Sequence, residues 1–348
     1  MKVLLTGSAG FIGHHVARRL SALGCEVVGL DNINDYYDPA LKMARLRASG
    51  IDDNAISYGA LARSSALPGN RFIRLDLCDD DRLRTLFEDE RFDAVCHLAA
   101  QPGVRHSLIR PASCVESNIN GFAVMLEACR AAPVRHFVFA SSSSVYGLGG
   151  RAPYSPHGPA DHPISLYAAT KRANELMAHA YSHLYGIPTT GLRFFSVYGP
   201  WGRPDMAYFS FTKRIIDGDA IELFGDGGLR RDFVYIDDVV DAVVAVLERP
   251  PLPDGAWDGA DPASSAAPYR IYNVGSGASV SIEEFVRAIE HALGATATVI
   301  ATPRQPGDML ATRADIADLA REFGYCPRVP FAEGLARFVA WYREYYRA

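Results

Sequence analysis

Tyr167 and Lys171 are four residues apart in Tyr167-Ala168-Ala169-Thr170-Lys171, at the start of a stretch (165–185) whose pattern predicts a helix. Residues i and i+4 of a helix share one face. A phenol titrates near about 10, too high for a base at neutral pH, and a neighbouring ammonium lowers it. The pair would make a general base, although a solvated helix face carries the same spacing by chance. A second feature gives the pair meaning. Ser141-Ser142-Ser143-Ser144-Val145-Tyr146-Gly147 follows the apolar run HFVFAS (136–141), at the carboxyl end of a strand, where open α/β sheets bind ligands. A serine hydroxyl there can bridge a substrate oxygen and the phenolate; as an alternative, a serine run is common loop filler.

A third group of residues could hold a cofactor. The first apolar run, KVLLT (2–6), leads into Thr6-Gly7-Ser8-Ala9-Gly10-Phe11-Ile12-Gly13 and then a helix. In that setting Gly7 permits a tight turn, Gly10 lets backbone approach a pyrophosphate, and Gly13 lets helix and sheet pack closely, with the phosphates at the helix N-terminus. The spacing is G-x-x-G-x-x-G. The second strand ends at Asp31, about twenty residues past the glycines, where a carboxylate accepts hydrogen bonds from ribose hydroxyls and repels a 2′-phosphate. That favours NAD over NADP, unless Asp31 simply forms a turn. Asp76-Leu77 after the third strand, and Leu98-Ala99-Ala100 after the fourth, fall where adenine and the central diphosphate should lie.

The elements that must position these residues follow from periodicity. Residues 2–141 alternate short β-branched runs, KVLLT, EVVGL (26–30), RFIRLD (71–76), DAVCHLA (93–99) and HFVFAS, with helical stretches such as 11–22 and 115–131. Near-continuous apolar strands separated by helices predict a doubly wound, Rossmann-type α/β domain with a parallel sheet covered on both faces. After about residue 195 the pieces shorten. Helices are expected near 208–217, 237–247, 281–293 and 331–346, with strand-like IELF (221–224) and DFVYI (232–236). The expected division is a cofactor-binding domain over 1–195, carrying the catalytic residues, and a smaller mixed α/β substrate domain over 196–348, some of whose segments return to the first. The Pro-, Gly-, Ala- and Asp-rich segment 250–268 reads as a mobile surface loop.

Composition excludes several classes of function. With 348 residues and 49% apolar content the chain can bury large cores. A net charge of -5 offers no basic stripe for a phosphate backbone, so nucleic acid is not an expected partner. No run approaches the roughly 20 apolar residues of a membrane span, so no membrane association and a cytoplasmic location are expected. Six cysteines, with no C-x-x-C pair and no His at ligand spacing, read mostly as buried thiols, and no metal site is expected.

TGSAGFIG (6–13), Asp31, LAA (98–100), SSSSVYG (141–147) and YAATK (167–171), in that order, resemble the extended short-chain dehydrogenase/reductase family over essentially the whole chain, specifically its NAD-dependent sugar-nucleotide epimerases and dehydratases. The resemblance implies NAD held by Gly7, Gly10, Phe11, Ile12, Gly13, Asp31, Asn32, Asp76, Leu77, Leu98, Ala99 and Ala100, with Tyr167 and Lys171. It implies Ser142 as the catalytic serine, Ser144 touching the sugar, and a homodimer through a four-helix bundle of 115–131 and 165–185. Dehydratases and decarboxylases of the family carry an acidic residue in the serine motif; Ser143 and Ser144 stand there in this chain, which implies simple epimerisation.

DNINDYYD (31–38), AAQPGVRHS (99–107), FFSVYGPWGRPDMA (194–207) and QPGDM (305–309) resemble the UDP-glucuronate 4-epimerase branch. Arg105 and Arg203 then become candidate partners of a uronate carboxylate, or alternatively of the diphosphate or a surface acid. Arg231 matches the family's diphosphate-binding arginine, the alternative being a salt bridge to Asp232 or Asp237. Ser196 stands where UDP-galactose 4-epimerases have Asn, and Gln305 where they have Arg. UDP-sugar is thus the implied substrate, and C4 epimerisation of UDP-glucuronate the implied reaction. UDP-glucose 4-epimerisation, decarboxylation of UDP-glucuronate and non-catalytic NAD sensing are the alternatives.

Overall fold

A computed structural model describes residues 1–224, 229–303 and 310–347. In chain order the elements are β1 (Lys2–Thr6), α1 (Phe11–Ala22), β2 (Glu26–Asp31), α2 (Pro39–Ala48), β3 (Leu61–Arg63), β4 (Asn70–Arg74), α3 (Asp80–Glu90), β5 (Ala94–His97), α4 (Val104–Ile109), α5 (Pro111–Val115), α6 (Gly121–Ala131), β6 (His136–Ser142), α7 (Leu166–Tyr185) and β7 (Thr189–Phe194). There follow β8 (Ser196–Tyr198), α8 (Ala207–Asp217), β9 (Ile221–Phe224), β10 (Arg230–Arg231), β11 (Phe233–Tyr235), α9 (Ile236–Glu248), β12 (Tyr269–Val274), β13 (Val280–Ser281), α10 (Ile282–Leu293), β14 (Val299–Thr302), α11 (Ala317–Phe323) and α12 (Phe331–Tyr346).

The apolar runs assemble into an eight-stranded sheet in the order β12-β7-β6-β5-β1-β2-β4-β3. β1 pairs in parallel with β2 on one side and β5 on the other, so the strand order reverses at β1. That reversal opens a crevice at the carboxyl ends of β1 and β5, the place where such sheets bind ligands. Helices cover both faces because the strands are apolar on both. Leu4, Val28, Val95, Phe122, Phe137 and Phe139 form part of the resulting core, each at most 1% exposed. Strand β3 was not legible in the sequence: it is three residues long, antiparallel to β4 at the sheet edge, and only Ala62 of it is buried.

Two compact units emerge. The first comprises Met1–Gly150, Pro156–Phe194 and Val240–Tyr272; the second comprises Arg151–Ser155, Phe195–Val239 and Asn273–Ala348. Arg151–Ser155 join the second unit because the backbone of Tyr154 is bonded to Arg313 and Asp315. The second unit is built from short strand pairs, β8 with β11, β9 with β14 and β10 with β13. Its core is aromatic, with Phe233 stacked on Phe285 and Tyr208 edge-on to Phe338.

Local departures from the expected elements have physical causes. The helix expected over 115–131 is interrupted by a π turn at Glu116–Asn120, where Asn118 is buried and bonded from both ends of its amide. Segment 250–268, expected to be a mobile surface loop, forms no helix or strand, and most of residues 252–260 are exposed. Asp254, Asp258 and Asp261 each accept a backbone N–H two residues on, and Ala263, Ser264, Ser265 and Ala267 are buried. The aspartates satisfy their own backbone and so shape the turns of this loop. Of the six thiols only Cys96, Cys114 and Cys129 are buried. Among the described residues no helix is long and apolar enough to cross a membrane, and no cluster of three or more His, Cys, Asp or Glu could hold a metal ion.

Candidate active site

The turn after β1 is shaped by two glycines. Gly7 has φ +70°, and a Cβ on it would sit 2.9 Å from the Ala99 nitrogen. A Cβ on Gly13 would sit 2.1 Å from the Gly7 carbonyl oxygen. Both positions therefore require a bare backbone, which lets α1 start hard against the sheet. Gly10 is the N-cap of α1 and supplies no capping side chain. The first turn of α1, with Phe11, Ile12 and Gly13, thus presents the open amide end that binds a phosphate. Leu98 and Ala99 lie against this turn, their N–H groups donating to the Thr6 carbonyl at 3.3 Å and the Thr6 hydroxyl at 3.1 Å, with Ala100 following.

At the end of β2 the buried Asp31 Oδ1 accepts from the Ile33 N–H at 2.8 Å and from Lys42 Nζ at 3.3 Å. Asn32 donates to Asp76 at 2.9 Å, and Leu77 is buried beside Gly121. The predicted residues Asp31, Asn32, Asp76 and Leu77 are therefore assembled at one edge. Sequence reading missed Lys42 and Arg45 of α2. Arg45 is fully buried and donates to the Ala9 carbonyl at 3.0 Å and the Tyr37 hydroxyl at 2.6 Å, bracing the glycine turn. Lys42 and Arg45, three residues apart and on the same side of α2 as its buried Leu41 and Leu46, were the available signal. The bare-backbone cradle, the open helix end and the strand-end carboxylate fit a dinucleotide.

The candidate reacting groups sit on α7 and at the end of β6. Ser165 caps α7, accepting the Ala168 N–H at 3.1 Å, so Tyr167 falls in the first turn. Lys171 is 2% exposed and donates to the Ala140 carbonyl at 2.8 Å. Burial lowers its ammonium from 10.5 to about 8, with Cys114 and Glu175 acting the other way. Burial, and then the Lys171 charge, push His97 down to about 3, so its imidazole is neutral. The π turn places Asn118 beside this helix: its amide donates to Thr170 at 3.0 Å and to the Gln101 carbonyl at 3.1 Å, while Asn174 donates to its carbonyl at 2.6 Å. No spacing in the sequence singled out Asn118.

The serine motif resolves into different roles. Ser141 donates to the buried Glu175 at 2.5 Å and is committed there. Ser142 caps the 3₁₀ turn Ser143–Tyr146, accepting the Ser144 N–H, and its hydroxyl donates to that of Ser144 at 3.1 Å. Ser142 and Ser144 are thus the hydroxyl pair at the strand end, and α7 packs on both β6 and the turn. Arg105, on α4, is exposed.

In the second unit, Ser196 opens β8 and donates its N–H to the Asp232 carbonyl at 3.0 Å. Arg203 forms a two-pronged pair with Asp205, at 3.0 and 2.5 Å. Arg231 donates to the main-chain carbonyl of Arg230 at 3.0 Å, whereas the buried Asp232 carboxylate accepts from Ser276, Gly277 and Ala314. Gln305 and the stretch QPGDM (305–309) lie outside the described residues.

A parallel sheet reversing at β1, a glycine cradle and a Tyr–Lys helix at the sheet's carboxyl edge define a dinucleotide-dependent enzyme. Residues 3–275 match the model of the NAD dependent epimerase/dehydratase family, and the chain belongs to that family. It is an NAD-dependent enzyme of the sugar-nucleotide epimerase class. Protein CapI of Staphylococcus aureus is 46% identical over 349 residues, covering 100% of both chains. UDP-glucuronate 4-epimerase 4 of Arabidopsis thaliana is 45% identical over 350 residues, covering 99% of this chain and 76% of that protein. The crystal structure of UDP-glucuronic acid 4-epimerase from Bacillus cereus with UDP-glucuronic acid and NAD superposes with a TM-score of 0.83 at 31% identity, covering 99% of this chain and 100% of that one.

Proposed function

We propose that the protein interconverts UDP-glucuronate and UDP-galacturonate by epimerisation at C4 through a transient 4-keto sugar. The observation that carries this reading is the strand end itself: serines at 143 and 144, where dehydratases and decarboxylases carry an acidic residue for chemistry at C5 or C6, with the Ser144 hydroxyl accepting from that of Ser142. The similarity to UDP-glucuronate 4-epimerases supports the same substrate. In the proposed roles Tyr167 takes the O4 proton, Lys171 holds the phenolate's charge, and Ser142 donates to O4. NAD supplies the acceptor for the C4 hydride and the means of its return. The ketone turns over about its link to the diphosphate, exposing its other face, and Tyr167 gives the proton back. Gly7, Gly10, Gly13 and Asp31 hold the cofactor; Ser144, Ser196 and Arg231 are assigned to the UDP-sugar.

The keto intermediate is a β-keto acid and loses carbon dioxide readily if its carboxylate is free to rotate. Arg105 and Arg203 are the candidate partners of the C6 carboxylate; Arg203 is paired with Asp205, which a uronate would have to displace to take the same two-pronged geometry. Incubation with UDP-glucuronate and resolution of the products tests the reading. UDP-galacturonate is expected; a UDP-pentose as main product, or turnover of UDP-glucose alone, overturns it.

We also propose a homodimer through α6 and α7. Leu176, Leu184 and Tyr185 are exposed along α7, and Tyr181 of that helix donates to Glu127 of α6, holding the two helices as one surface. Light scattering at micromolar concentration should give twice the 37.9 kDa chain mass.

A further inference from the structure

The serine motif is gripped at both ends by one buried ion pair that the mechanism does not use. Glu175, one turn beyond Lys171 on α7, accepts from Ser141 at 2.5 Å, from Arg193 of β7 at 2.8 and 2.9 Å, and from Arg172 at 2.9 Å. Ser141 and Arg193 are direct neighbours in the β6·β7 register. The Arg193 guanidinium also lies over the Tyr146 ring, 4.7 Å from its centroid. Glu175, Arg193 and Tyr146 are each at most 1% exposed and Ser141 is 3% exposed. Ser141 begins the motif, Tyr146 nearly ends it, and Ser142 and Ser144 lie between.

The same cluster ties the helix that bears the base to the strand that bears the serine. Lys171 reaches the Ala140 carbonyl and Glu175 reaches Ser141, so α7 meets β6 at two consecutive residues, one helical turn apart. Burial alone would raise the Glu175 carboxyl; the charge and hydrogen bonds of Arg193, with those of Ser141 and the charge of Arg172, hold it low instead. Arg193 spends Nε and one Nη on Glu175, while its other Nη lies against the Tyr146 side without a hydrogen-bond partner among the described residues. The pair therefore contributes a fixed geometry more than net stability, the desolvation of both charges offsetting their attraction. A catalytic hydrogen bond demands such fixed geometry: a displacement of about 1 Å costs about a hundred-fold in rate.

We infer that Ser141, Glu175 and Arg193 form a positioning clamp that sets Ser142 against Tyr167, with Ser141 a positioning residue and not an alternative catalytic serine. The inference rests on the epimerase reading. Its test is Ser141→Ala, with Ser141→Thr as the conservative restoration, assayed on a panel of UDP-glucuronate, UDP-galacturonate and UDP-glucose. The expected result is a kcat about ten-fold lower or more for Ser141→Ala, with KM within about two-fold of the parent, and at least half of that loss recovered by Ser141→Thr. Thermal unfolding is measured alongside. A kcat within about two-fold of the parent, whether or not the melting temperature falls, overturns the clamp, as does a Thr variant no better than Ala. Should Ser141→Ala not fold, Ser141→Cys keeps the volume with a weaker donor and is held to the same kcat criterion. Loss of UDP-glucuronate turnover by the parent itself would refute the substrate assignment while the clamp is read on whichever sugar is turned over.

Discussion

Replacing Lys171 by Met should make the protein more stable and nearly inactive. The ammonium is buried at 2% exposure and titrates at about 8, against 10.5 when solvated. At about 1.4 kcal/mol per unit, holding the charged form inside the fold costs about 3 kcal/mol at pH 7. Losing the Lys171 to Ala140 hydrogen bond takes back about 1 kcal/mol, so a net gain of about 2 kcal/mol is expected. The pH dependence carries a definite sign. Between about pH 8 and 10.5 the native amine has released its proton while the unfolded chain still binds one, so the parent gains stability as pH rises and the Met variant's advantage fades. Urea unfolding followed by circular dichroism, at pH 7 and pH 10 on both proteins, isolates this group as a double difference. Turnover should fall by about a hundred-fold or more, because the phenol loses the cation that makes it a base. A Met variant less stable than the parent at pH 7, or an advantage that does not change with pH, would refute the argument that desolvation dominates at Lys171.

Further outcomes follow from the same geometry. In the parent, kcat should decline as pH rises through about 8, as Lys171 loses its proton, and a pH profile flat to pH 10 would contradict this. Tyr167→Phe should abolish epimerisation while leaving NAD bound, checked by product chromatography and cofactor retention on gel filtration. Gly13→Ala drives a methyl to 2.1 Å from the Gly7 oxygen and should lower stability by about 1–3 kcal/mol and weaken NAD binding in titration calorimetry. Arg203→Ala should raise the KM for UDP-glucuronate about ten-fold and release detectable UDP-pentose, whereas UDP-glucose binding should change little.

Much of the site was legible before folding was considered. Gly7, Gly13, Asp31 and the Tyr167-x-x-x-Lys171 pair are local devices, each meeting its requirement within one turn or one strand end, so spacing alone exposes them. The same holds for the strands of the first unit, whose apolar runs are continuous because both faces are covered. Segment 250–268 was legible as an irregular surface stretch from its composition, but the turns its aspartates make with their own backbone, and the burial of Ala263–Ser265, were not. β3 escaped because a three-residue edge strand has no period to detect.

The chain's own order of residues determined the class of cofactor site, the proposed general base and the alternation that builds the sheet. Tertiary structure alone separated two chemically identical neighbours, since Glu175, 34 positions from Ser141, claims that hydroxyl, whereas the Ser142 hydroxyl engages Ser144 at the strand end. It also decided that Lys42 stands on Asp31 and that Arg45 reaches the Ala9 carbonyl, 36 positions away. Hydrogen bonds and ion pairs between distant segments obey no sequence period. They exist only once burial has removed the competing water.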